Sequence, residues 1–463
     1  MSNPRSSSSS RPLLIRGCGI VTMDEAAGDL GSGDILIEDG KIVAVAPHID
    51  APDAKVIEAS NMIAMPGFID GHRHLWEGIA RHALPTDNLM EYFHRVNHGF
   101  ASAYTPDDVY LGTLLSALGA LDAGITTVFD WAHIQTTPEH TSAAIAALRD
   151  AGLRTVFGYG PPGRQDRGHQ WPHDLLRLQK EDFSSRDQLL TLALASSSPE
   201  HCPDEVAKAH FAMAKDADLI ITVHAAMNGF GEKEQILRFG KEGLLGPHVQ
   251  LVHCNTLTSE EWRVVADTNT SVCFTPSAEM QMGHGVPPIQ PSIDVGIIPS
   301  IGIDVETSVP GDMWTQMRIV YALQRMQSHE LRYSGAEAPA CIDCNDLLRY
   351  ATIGGAINAR LQDQIGRIAS GLQADLVLLR ADMINVMPVN DLKSAVALNM
   401  DARNVDTVMV AGRIVKRGGT LFGHDLNALA RRFYAARDRV YADANEPLKS
   451  PQHRLSVEAA LQN

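Results

Sequence analysis

Met62-Ile63-Ala64-Met65-Pro66-Gly67-Phe68-Ile69-Asp70-Gly71-His72-Arg73-His74 is an apolar, strand-like run that ends on two histidines. Side chains at i and i+2 of an extended segment leave the same face, so His72 and His74 can grip one metal ion. Arg73 then points away, towards a structural ion pair. Three more short apolar runs end on a residue of ligand type: residues 219–223 on His224, 249–252 on His253 and 297–303 on Asp304. Catalytic residues of a (β/α)8 barrel stand at the C-terminal strand ends, where the loops form the active-site mouth.

Working outward, the strands can be counted. After residues 62–70 come 124–130, 153–159, 189–195, the runs ending at His224 and His253, 271–275, and the run ending at Asp304, which makes eight. Helix starts lie between them: Thr105-Pro106-Asp107-Asp108 has a capping residue, a first-turn proline and first-turn acids, Thr137-Pro138-Glu139 opens another such helix, and Thr258-Ser259-Glu260-Glu261 opens a third. Leu111, Leu114, Leu115, Leu118 and Leu121 follow at helical spacing. Near-continuous apolar strands alternating with helices over about 300 residues indicate an α/β fold, a TIM barrel, with an open doubly wound sheet as the alternative on pattern alone.

The ends of the chain have a different texture. Short β segments fill residues 12–65, with a two-residue hairpin turn at Asp39-Gly40, and similar segments return at 375–379, 405–410 and 414–416. The expected organisation is a disordered serine-rich leader over 1–10, a small β-sandwich built from 11–65 and 366–423, the barrel over 66–365, and a C-terminal helix and tail over 424–463. The helix, residues 426–440, is amphipathic and suits packing on the barrel or on a neighbouring subunit of a homo-oligomer.

Composition limits the function classes. A formal net charge of −16 over 463 residues argues against nucleic-acid binding. No apolar run reaches the roughly 20 residues of a membrane helix, and the leader lacks a signal-peptide core. Six cysteines without framework spacing point to a reducing compartment, and the cytoplasm is expected. Cys341-Ile342-Asp343-Cys344 has no matching second pair for a structural metal, and Cys254 suits core packing on the far side of its strand from His253.

Nearly the whole chain resembles the amidohydrolase superfamily. The residues from Pro66 to Leu75 are similar to its strand-one motif, and Gly371-Leu372-Gln373-Ala374-Asp375-Leu376-Val377-Leu378 to its closing β signature. Thr275-Pro276-Ser277, Gly283-His284-Gly285-Val286-Pro287 and Gly302-Ile303-Asp304 resemble later barrel segments of the branch that holds cytosine and guanine deaminases and the triazine hydrolases. The resemblance implies one divalent ion, Zn2+ or alternatively Fe2+, held by His72, His74, His224 and Asp304, with His253 beside it. Such an ion lowers the pKa of bound water to about 7. Asp304 would take the water's proton and His253 would polarise the oxygen or nitrogen on the carbon under attack.

One position departs from the deaminase pattern. Aminohydrolases of this branch carry a glutamate three residues after the third histidine, and here that residue is Met227, a thioether that cannot transfer protons. Glu306, at i+2 from Asp304 on an extended segment, is the first-choice replacement, ahead of Glu77, Glu279 and Asp130. Trp76, Trp131, His133, Gln281 and His284 are the expected substrate-binding residues, with Tyr159, Met280 and Met282 as further wall or core candidates, on loops that converge over the mouth and suit a planar small molecule. The expected activity is metal-dependent cleavage of a non-peptide C–N bond in a small cyclic or aromatic compound. Alternatives are a heteroaromatic chlorohydrolase, a metal-dependent lyase or decarboxylase, and a non-catalytic metal-binding relative.

Overall fold

In the computed structural model, residues 11–162, 171–197, 204–229 and 234–447 are described. The leader, most of the tail and Cys202 lie outside them. Eight parallel strands follow one another in chain order: β1 Phe68–Arg73, β2 Ile125–Ala132, β3 Arg154–Tyr159, β4 Leu190–Ser196, β5 Ile220–Ala225, β6 Val249–His253, β7 Ser271–Phe274 and β8 Ser300–Ile301. β8 is shorter than its apolar run because Pro299 has no N–H to give to a ladder. The circle closes between the ends of β8 and β1, where Asp304 N–H donates to His72 O at 2.9 Å and His74 N–H donates to Asp304 O at 3.0 Å.

The closing strands approach so tightly that two glycines are required. A Cβ at Gly71 would lie 2.1 Å from Ser300 Oγ, and one at Gly302 would lie 2.8 Å from both His72 N and His72 O. Below them, Ile69, Phe129, Val156, Ala193 and Ile220 pack against Ala356, Ala359, Leu361 and Ile365, which plug the N-terminal end of the barrel. The expected helix starts form: Pro106–Asp122, Pro138–Ala151 and Ser259–Asp267 begin after Thr105, Thr137 and Thr258. At the last of these, Thr258 Oγ1 accepts from Glu261 N–H at 3.2 Å and Glu261 Oε2 accepts from Thr258 N–H at 2.9 Å.

Residues 62–70, read as one strand, divide. Met62–Pro66 belongs to a separate nine-stranded sheet, antiparallel to Leu376–Arg380 and parallel to Leu13–Ile20, and so joins the two ends of the chain. The chain turns into β1 at Gly67, whose N–H donates to Asp375 O at 3.1 Å and whose missing Cβ leaves room for Thr126. The Asp39-Gly40 turn has positive φ at both residues, 47° and 82°, as a tight hairpin with that pair demands. The final helix, Leu426–Asp443, packs on Pro106–Asp122 of its own chain, with Tyr441 against Phe100 at 4.9 Å between ring centroids. No helix among the described residues is long and apolar enough to cross a membrane.

Candidate active site

The strand ends carry unusual backbone. Ala226, His253, Cys254 and Asp304 all have positive φ, 55°, 77°, 60° and 72°, a conformation that costs such residues energy and turns their side chains out of simple strand alternation. The result is convergence. His72 Nε2 lies 3.2 Å from His224 Nε2 and 3.2 Å from Asp304 Oδ1, and His74 Nε2 lies 3.3 Å from the same oxygen. Ligand atoms of His72, His74 and His224, and of His72, His253 and Asp304, fall within 4.8 Å of one another.

Electrostatics suit a cation there. Burial holds the imidazoles of His72, His224 and His253 neutral, pushing the first down to about 3, the second well below the usual histidine range and the third to about 4. Burial would raise Asp304, but the histidine rings gathered around it outweigh that and hold the carboxylate well below its usual range. His74 Nδ1 donates to Trp131 O at 2.8 Å, which leaves its Nε2 lone pair for the centre. Three imidazoles and one carboxylate in this arrangement fit a divalent metal ion.

A cavity of about 110 Å³ opens above the cluster. Its walls include Trp131, His133 and His284, all expected from the sequence, together with Met227, Met282, Leu89, Tyr92, Phe93 and Asn97. His284 is buried against His253, 4.6 Å between centroids, and neither ring nitrogen has a protein partner among the described residues. Trp131 stands 4.4 Å from the His224 ring, and its indole N–H is likewise unpaired there. Met227 puts its thioether into the wall at the position of the expected acid. A wider cleft of about 460 Å³ lies at the opposite end of the barrel, at the starts of β4 and β5, and contains none of these groups.

Three expected residues are placed elsewhere. Glu306 does not line the cavity: with Asp304 at positive φ the i+2 rule fails, and the carboxylate turns to Arg81 at 2.8 Å, Arg73 at 3.6 Å and the Ser116 hydroxyl. Burial acts to raise its pKa, yet the two guanidiniums hold it below the usual range, so Glu306 is a buried counter-ion and a poor proton shuttle. Gln281 is exposed and donates to Pro85 O and Ser308 O, both at 3.1 Å. Trp76 sits behind the wall, its indole N–H donating to His133 Nδ1 at 3.3 Å. Arg73 points away from the cluster and binds Asp70 at 2.6 Å.

Of the other acids, Asp130 accepts from Leu75 N–H at 3.0 Å, Glu77 accepts from the Tyr92 hydroxyl at 2.5 Å, and Glu279 Oε1 lies 3.2 Å from His253 Nδ1. Burial pushes Asp130 and Glu77 up to about 7 and Glu279 to about 8. None of the three lines the cavity. Sequence reasoning missed Tyr92 and Asn97, which stand on a helical segment over the mouth. One signal for it existed: Asn88 accepts from Glu91 N–H at 3.1 Å while Glu91 accepts from Asn88 N–H at 2.7 Å, a capping box legible as Asn88-Leu89-Met90-Glu91.

Known proteins agree with this architecture. The chain is 27% identical over 421 residues to 5-methylthioadenosine/S-adenosylhomocysteine deaminase of Desulforamulus reducens, covering 87% of this chain and 93% of that protein. It is 28% identical over 414 residues to 5'-deoxyadenosine deaminase of Methanothermobacter thermautotrophicus, covering 85% and 92%. Among solved structures, a zinc-bound adenosine deaminase from Xanthomonas campestris superposes with a TM-score of 0.80 at 22% identity, covering 93% of this chain and 98% of that one. Atrazine chlorohydrolase from Arthrobacter aurescens TC1 complexed with zinc gives 0.81 at 23% identity, covering 92% and 100%. The pattern described as the amidohydrolase family matches residues 63–415, and this chain belongs to that family.

Proposed function

We propose that this enzyme, a metal-dependent hydrolase of non-peptide C–N bonds in small aromatic compounds, uses Zn2+ and takes substrates of about one ring in size. The observation that carries the reading is the convergence of His72, His74, His224 and Asp304 beneath a cavity whose only described acid is Asp304. The ion, when bound, lowers the pKa of a water and supplies a nucleophile at neutral pH. Asp304, held ionised, accepts the proton of the attacking water. His253 directs Nδ1 towards Glu279 and Thr275 and keeps Nε2 for the reacting group. His284, with two unpaired ring nitrogens over the same space, is placed to hydrogen-bond the departing group; burial and His253 push it down to about 4, so it stays neutral, and the proton that the departing group needs is the one Asp304 took from the water. A cavity of about 110 Å³ lies below the roughly 300–1,000 Å³ of sites that enclose drug-sized ligands, which favours a single ring.

Met227 favours a second reading, displacement of a leaving group such as chloride that needs little protonation. Product analysis of the zinc-loaded protein separates the two. Amino-heterocycles, lactams, amides and chloro-heterocycles are supplied, and ammonia, amine, carboxylate and chloride are scored together. Ammonia, amine or carboxylate supports C–N cleavage; chloride alone replaces that reading with the second.

A further inference from the structure

Two residues that no part of the metal cluster accounts for line the same cavity. Tyr92 directly precedes the π-helix Phe93–Phe100, and Asn97 lies five residues on. In a π-helix the i→i+5 bond brings such residues to the same face about one turn apart. Both line the cavity, and each has its hydrogen-bonding sense fixed from behind.

The Tyr92 hydroxyl donates to Glu77 Oε1 at 2.5 Å. Burial and the neighbouring Glu77 hold the phenol well above its usual pKa, so it keeps its proton. With Glu77 ionised, that proton is committed to the carboxylate, and a further partner of the oxygen can only be a donor. On the other side the fixing begins at Trp76. An indole N–H only donates, and it meets His133 Nδ1 at 3.3 Å, so that nitrogen accepts and Nε2 carries the ring proton. The competing contact of Nδ1, with Trp131 O at 3.2 Å, would leave the buried indole N–H without an acceptor, and that carbonyl already receives His74. His133 Nε2–H then donates to Asn97 Oδ1 at 3.1 Å. The Asn97 amide keeps two N–H donors with no partner among the described residues.

We infer that Tyr92 and Asn97 form a recognition site for a cis-amide edge: a ring C=O received by the Asn97 amide beside a ring N–H received by the Tyr92 oxygen. The ligand class is a lactam, a cyclic ureide or the equivalent heteroaromatic tautomer. The inference rests on the hydrolase reading of this cavity and names the substrate edge that faces away from the metal ligands.

The test is calorimetric titration of the zinc-loaded protein with 2-pyridone, which carries C=O and N–H side by side, and with N-methyl-2-pyridone, which keeps only the carbonyl. The wild type is expected to bind 2-pyridone about tenfold tighter. Tyr92→Phe is expected to bring that ratio to about one, because a steric penalty from the methyl group would survive loss of the hydroxyl and a hydrogen-bond preference would not. Asn97→Ala is expected to weaken both probes alike. Equal wild-type affinities, a ratio unchanged in Tyr92→Phe, or no binding of either probe overturns the inference. Turnover of C–N substrates is scored in parallel. Discrimination without turnover keeps the recognition site and removes the hydrolase reading, and turnover without discrimination does the reverse.

Discussion

At the scale of single residues, Met227 and His284 set the chemistry apart from a glutamate-bearing site. A thioether fills the wall where a carboxyl would exchange protons, while a buried imidazole without protein partners stands beside His253. Restoring the acid is therefore informative. Met227→Glu is expected to raise ammonia release from amino-heterocycles by about 10²-fold, the lower range for a general acid, as measured by ammonia assay. An unchanged rate would show that proton delivery from this position does not limit turnover. At the metal cluster, Asp304→Asn removes the only carboxylate among the four candidate ligands. Zinc bound per chain, measured by elemental analysis after dialysis, is expected to fall well below that of the wild type.

At the scale of elements, the site depends on how strand ends are fastened. Asp70 Oδ1 accepts from Ile303 N–H at 3.0 Å and Oδ2 takes Arg73 at 2.6 Å, so β1 is tied to the segment after β8. Arg73 continues to Gly311 O at 3.1 Å and to Glu306, and Glu306 reaches Arg81 and, through Ser116, the helix Pro106–Asp122. Removing one partner leaves buried charge unmatched, which costs about 3 kcal/mol. Glu306→Gln is accordingly expected to lower the melting temperature while leaving zinc content and the pH profile of turnover unchanged. A shifted profile would return Glu306 to the chemistry.

At the scale of the whole molecule, both chain ends are enlisted around the barrel. Met62–Pro66 joins the early and late β segments in one sheet, and the last helix braces the elements behind the cavity. Arg95, on the π-helix that bears Asn97, binds Asp87 at 2.5 Å and Glu446 at 2.8 Å, which ties the cavity's roof to the segment just after the last helix. Tyr441→Ala opens a hole against Phe100 and is expected to cost about 3 kcal/mol of stability, read from denaturant unfolding. If Tyr441 also steadies the roof, binding of 2-pyridone weakens in the same variant.

The sequence by itself determined the barrel, because buried parallel strands need continuous apolar runs and because polar residues at their ends stood out against them. His72, His74, His224, His253 and Asp304 were legible for that reason. Tertiary structure decided what strand periodicity does not encode. Positive φ at Asp304 turned Glu306 away from the cavity to its arginine partners, and Gly67 ended one sheet and began another inside a single apolar run. The role of Tyr92 and Asn97 in the roof was also decided there, since those residues acquire a hydrogen-bonding sense from Glu77, Trp76 and His133, groups that chain folding brings together from the segment after β1 and the end of β2.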